Sequence, residues 1–253
     1  MGFDKHFRND YFKGGIQVAG NSTFSGTINA DNTISASSDI KVSNFLTLPK
    51  TSGKGIKVDT TTPTFPWSDI LGYVLVLSPG ANDPTLTTFR GDIKAFAFSN
   101  AIMNEAFLFF HIPHDYLPGS NLYLHAHWSQ NVVDTGGAGG IPGNVKWSFD
   151  VSYAKGHNQA AFPASIATTI TATASGTQYQ HLLSEVQLSA SSPSASQIDT
   201  DDIEPDGLIL VRCYRNPADA ADTLNQVPFL HYVDLHYQSI GIGTKQKSIP
   251  FYV

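Results

Sequence analysis

Two histidines one residue apart, His125 and His127 in the segment GSNLYLHAH (119–127), are the sharpest chemical signal in this chain. Side chains alternate across a β-strand, so residues two apart share a face, and two imidazoles on one face are the start of a mononuclear metal site. Further ligands could come from elsewhere. Asp234 and His236 share a face on the last strand-like segment, and His111 and His114 flank Pro113. A threefold axis passing one of these imidazoles would let three copies hold a structural ion. The plainer role for all of them is hydrogen bonding within a polar sheet face or a subunit contact. No resident metal or cofactor is therefore expected.

The His125-x-His127 spacing resembles the first half of the cupin motif, and cupins are jelly rolls. The match then fails, because Asn131 and Val132 stand where the following glutamate belongs. Pro205-Asp206-Gly207 resembles the second motif, but Leu210 occupies the ligand position. A cupin-like metal-binding enzyme using His125, His127 and His236 is thus an alternative rather than the expectation. The acidic run Asp199, Asp201, Asp202, Glu204 and Asp206 invites a calcium reading, yet Ile203 sits at the fifth position and Glu204 where the turn glycine belongs. Carboxylate pairs for glycoside hydrolysis could be drawn from this loop and Asp150 or Glu185, but 21 acidic residues would supply such pairs by chance. A glycan-degrading role is accordingly a second alternative. There is no Gly-x-Ser-x-Gly elbow, Gly243-Thr244-Lys245 lacks the spacing of a phosphate loop, and the glycines of 136–143 open no helix. The sequence predicts no catalytic residue and a protein that is not an enzyme.

Composition bounds the partners. Of 253 residues 41% are hydrophobic, enough for a sizeable core, while only 14% are charged against about 25% in typical soluble proteins. The formal net charge of −6 gives no attraction to nucleic acid or to acidic membranes. Cys213 is the single cysteine, which rules out an intrachain disulfide and a thiolate metal cluster. Residues 1–14 lack the apolar stretch of a signal peptide, and no run approaches 18 apolar residues, so no membrane insertion is expected.

The elements that would position these groups fall into four parts. In residues 1–14, Phe3, Phe7 and Tyr11 are spaced i, i+4, i+8, with Phe12 beside them. On a helix they would form one aromatic stripe, suited to anchoring in a groove of a larger particle. In residues 15–58, short apolar pairs recur as Ile16-x-Val18, Ile28-x-Ala30, Ile40-x-Val42 and Ile56-x-Val58, the first three at a spacing of twelve and separated mostly by Gly, Ser, Thr, Asn and Asp. Ordering one residue costs about 1–2 kcal/mol, and two inward side chains per segment cannot offset that alone. Further copies must complete the core, which predicts a trimeric β-shaft with Ile16, Val18, Ile28, Ile40, Val42, Ile56 and Val58 along its axis.

Residues 59–66 (DTTTPTFP) read as an extended linker. From 67 to 253 the pattern becomes a succession of strands, near 73–78, 93–98, 106–112, 121–129, 145–154, 165–173, 182–188, 207–214 and 229–238. Val145, Trp147, Phe149, Val151 and Tyr153 alternate with Lys146, Ser148, Asp150 and Ser152, as a half-buried antiparallel strand requires. Such a set, joined by long connections at 134–143 and 189–206, predicts an all-β head: an antiparallel jelly-roll sandwich.

The blocks FHIPHDYLPGSNLYLHAHWS (110–129), SYAKGHNQAAFP (152–163), EPDGLILVR (204–212), FLHYVDLHYQS (229–239) and the closing GTKQKSIPFYV resemble virion proteins of tailed bacteriophages, and the N-terminal repeats are similar to phage fibre shafts. The resemblance implies a homotrimer attached by its N-terminus to capsid or tail proteins, with a projecting jelly-roll head. Its expected place is the virion, assembled in the host cytoplasm, as a fibre or capsid decoration. Its expected outward partner is a host-surface glycan or protein. No catalytic residue is implied.

Overall fold

The computed structural model describes residues 67–72, 82–134, 136, 142–241, 247 and 249–251. The anchoring segment 1–14, the shaft 15–58 with its axial residues, the linker 59–66 and the strand expected at 73–78 lie outside the described residues.

The described chain is all-β. Its strands are β1 (Trp67–Gly72), β2 (Thr85–Arg90), β3 (Ile93–Ala97), β4 (Asn104–His111), β5 (Tyr123–Gln130), β6 (Asn144–Ala154), β7 (Ile166–Thr173), β8 (Leu182–Gln187), β9 (Ser189–Ala190), β10 (Ile198–Asp199), β11 (Leu208–Arg215) and β12 (Pro228–Gln238). One sheet has the order β2-β3-β12-β5-β8, with β1 also paired to β12, and the other has the order β4-β11-β6-β7. Both sheets are antiparallel throughout.

The pairing follows a rule. The first and last strands of the roll, β1 and β12, lie side by side in one sheet, as do β5 and β8. The intervening pairs, β4 with β11 and β6 with β7, make the other sheet. A long doubled ribbon wound around itself produces this interleaving, which defines a jelly roll.

The core lies between the sheets and is built by strict alternation. Leu124, Ala126 and Trp128 of β5 face Val145, Trp147, Phe149 and Val151 of β6 within one buried cluster, joined by Ile209, Val211 and Cys213 of β11. Trp128 and Trp147 are both fully buried, their rings 6.2 Å apart and edge-on. Trp128 Nε1 donates to Ser184 Oγ at 2.9 Å, so its polar atom is satisfied inside the core. Each large apolar side chain removed from water here contributes about 1.5–3 kcal/mol.

Differences from expectation are local. β1 and β2 were not legible in the pattern, and the 189–206 connection carries the short parallel pair β9·β10 and a 3-10 turn (Thr200–Asp202) where no regular structure was expected. β2 (TLTTFR) is exposed along nearly its whole length, so it shows no apolar alternation.

Candidate functional site

β5 presents two faces. Because Leu124, Ala126 and Trp128 point into the core, His125, His127 and Ser129 point to the opposite, outer face of the sheet. The His125/His127 pair therefore faces away from the sandwich interior, unlike a ligand set inside a barrel. Even so, His125 is only 5% exposed and His127 7%.

A β-bulge in β12 brings the remaining groups onto that face. The register with β5 shifts between Leu230 and Tyr232. Leu230 and Val233, three residues apart, both belong to the main core, followed by Leu235 and Tyr237. His231 and Tyr232 consequently both turn outward, and Asp234 and His236 follow them. Uninterrupted alternation from Leu230 would have sent Asp234 and His236 into the core. Directly across the sheet, Asp234 then pairs with His125, and His125 with Glu185 of β8, while His236 stands opposite Asp69 of β1.

The result is a continuous network. Glu185 Oε2 accepts from His125 Nε2 at 2.7 Å, and His236 Nδ1 lies 3.2 Å from the same nitrogen. His125 Nδ1 is 3.2 Å from Asp234 Oδ1, and His127 Nε2 is 3.1 Å from Asp234 Oδ2. His127 Nδ1 shares a 2.8 Å hydrogen bond with His181 Nε2, and Tyr232 stacks on the His127 ring at 4.1 Å. His231 Nε2 reaches Ser129 Oγ at 3.0 Å. Trp67, about half exposed, packs edge-on against both Tyr123 and His236 at the rim.

Burial sets the electrostatics. Desolvation first, then the neighbouring His181 and His125, lower the His127 pKa to about 4, so its ring is neutral near pH 7. Burial likewise raises the Asp234 carboxyl to about 6, against the opposing pull of His125. His231 is lowered by burial and by His181 and His127. Two groups have ligand atoms within 4.8 Å of one another: His125, His127 and Asp234, and the more exposed Asp69, His125 and His236. Either could hold a divalent ion chemically.

The sequence singled out His125, His127, Asp234 and His236, and the fold unites all four. It missed Glu185 and Asp69 as neighbours of the pair, and also His181 and His231. Only His231 carried a signal, its place within the HYVDLHY run. His111 and His114 go elsewhere. Both reach Asp206 Oδ1 at 3.1 Å, and His157 Nε2 reaches Oδ2 at 2.8 Å, making a second histidine cluster at one end of the sandwich. The acidic run is engaged locally: Asp199 caps the 3-10 turn, Asp202 pairs with Lys155 at 3.3 Å, and Asp206 holds the three histidines.

No family model and no curated protein matches the chain. Among solved structures it is similar to Xyl-CBM35, described in complex with a glucuronic acid-containing disaccharide, at 12% identity and a TM-score of 0.33, over 67% of this chain and 93% of that one. A second is TmCBM61, described in complex with β-1,4-galactotriose, at 12% identity and a TM-score of 0.27, over 68% of this chain and 89% of that one.

Proposed function

We propose that this chain is a structural protein of a tailed-phage virion, a homotrimeric fibre or capsid decoration that works by association and surface contact rather than by turnover. Residues 1–14 attach it to the particle, the repeats of 15–58 braid three copies, and the jelly-roll head stabilises the particle or meets the host surface.

The supporting observation is an apolar strip on the outer face of the four-stranded sheet. Phe107 and Phe109 of β4 are 44% and 58% exposed, and Leu210 of β11, directly paired with Phe109, is 41% exposed. Among the described strands β4 is also the edge of its sheet, where Glu105 N donates to the Asn82 carbonyl. An exposed edge strand carrying large apolar side chains invites another chain unless it is covered. A shaft of three chains brings heads side by side, and the neighbouring copy is the occupant this strip fits.

Light scattering on the full chain tests the reading. A mass of three times the 27.3 kDa protomer is expected, with Phe109→Asp shifting the population toward smaller species. A stable monomer at micromolar concentration would overturn it. Deleting residues 1–14 should abolish incorporation into particles while leaving the trimer intact.

A further inference from the structure

We infer that His125, His127 and Asp234 form a seat for one divalent first-row transition-metal ion on the outer face of the six-stranded sheet, independent of the virion role proposed above.

The first argument is donor placement. Atoms bound to one four-coordinate ion at ~2.0–2.1 Å stand about 3.3 Å from one another. Here Asp234 turns its two oxygens to two different imidazoles: Oδ1 faces His125 Nδ1 at 3.2 Å, and Oδ2 shares a 3.1 Å hydrogen bond with His127 Nε2 that a bound ion would replace. The three side chains come from two directly paired strands, so the backbone ladder fixes their spacing.

The second argument is where the protons must be. Glu185 can only accept, so His125 Nε2 carries the hydrogen of their 2.7 Å bond. In the neutral ring Nδ1 is then a bare lone pair, and it faces a carboxylate oxygen at 3.2 Å. Lone pair against lone pair is repulsive unless a cation lies between them. A proton on either atom would relieve this only through an aligned hydrogen bond, and the approach lacks that alignment: Asp234 Oδ1 is buried with no hydrogen-bond partner. An unpartnered carboxylate oxygen on a residue 3% exposed is costly, and a metal ion removes that cost.

The third argument is the surrounding support. Metal-ligating histidines have their far nitrogen fixed by an outer group, often a carboxylate. Glu185 does this for His125, and His181, bonded to His127 Nδ1 at 2.8 Å, does it for His127. Two imidazoles and a carboxylate suit zinc and its first-row neighbours better than calcium or magnesium. Three ligands leave at least one position for an exogenous donor.

The test is titration of the chelator-treated, dialysed full-length protein with zinc, followed by calorimetry, elemental analysis and thermal unfolding, with cobalt(II) as a spectroscopic reporter. One zinc per chain is expected, with Tm rising by roughly 5–10 °C at zinc one hundredfold above Kd. Asp234→Asn and His127→Gln should weaken binding by more than about 100-fold, and Glu185→Gln by about 10-fold. His111→Gln, in the other cluster, should bind as the parent does. Absence of bound zinc with an unchanged Tm in the unmodified chain would overturn the assignment, whether or not the variants fold. Wild-type affinity retained by Asp234→Asn would overturn it equally.

Discussion

Arg215 is fully buried, and every part of its guanidinium is engaged. Nε and Nη2 donate to the two carboxylate oxygens of Asp222 at 2.9 and 2.8 Å, while Nη1 donates to the carbonyls of Ser99 and Gln226 at 3.1 Å each. Nη2 also donates to the Leu224 carbonyl. The pair thus ties the end of β11 to the chain after β3 and to the approach of β12. Its net stabilisation relative to an apolar pair is small, but losing one partner strands a charge in the core. Asp222→Asn is therefore expected to cost about 3–5 kcal/mol of unfolding free energy in urea. Arg215→Lys should be nearly as damaging, because an ammonium cannot reproduce the fork. A loss under about 1 kcal/mol for both would show that the buried fork is not what holds this end together. The sequence contained the clue. Period-two counting puts Arg215 on the inward face of Ile209, Val211 and Cys213, and a charge at an inward position demands a buried partner. It could not say that the partner is Asp222, seven residues on in a loop.

At the scale of elements, most strands were legible and their partners were not. Eight of the nine expected strands coincide with β3 to β8, β11 and β12 to within about two residues, because alternation such as that of β6 reports burial on one face. The bulge in β12 was invisible, since FLHYVDLHYQ reads as an uninterrupted alternating strand, yet the extra outward residue there assembles the histidine face. The end loops show the same limit. His111 at the end of β4 with His114 just beyond it, His157 after β6 and Asp206 converge from three segments that no local pattern connects. Burial would raise the Asp206 carboxyl, but the hydrogen bond from His157, together with His114 and His111, outweighs it and holds the group below its ordinary value. A carboxylate depressed in the folded state contributes stability that is present above its unfolded pKa of about 3.9 and disappears as pH falls through the lower folded value. Asp206→Asn should therefore reduce stability at pH 6 and flatten its decline in acid, followed by tryptophan fluorescence between pH 6 and 2. A parallel decline in both proteins would remove Asp206 from the acid response.

At the scale of the whole molecule, the jelly roll closes by joining its ends, with Trp67 paired to Gln238 and Gly72 to Val233. The strand count and the long end loops made a two-layer all-β head the expectation. The particular interleaving arises from pairs far apart in sequence, which no local pattern encodes. Among the described residues, every side chain of the main core cluster lies between Phe98 and Tyr237, and the partly buried Ile70 packs against it, which supports a head with a core of its own. The repeats of 15–58 offer sparse apolar residues that, in the proposed shaft, need other copies to bury them. These two halves predict different concentration dependences. A fragment of residues 59–253 is expected to fold alone and to unfold in one cooperative transition whose Tm is unchanged between 1 and 100 µM, as scanning calorimetry would record. If the proposed shaft joins three copies, the full chain should show a Tm that rises over the same range, because mass action favours the associated folded state. If the fragment is unfolded, or if its Tm climbs as steeply as that of the full chain, the head depends on its neighbours and the apolar strip of Phe107, Phe109 and Leu210 is part of its core rather than its surface.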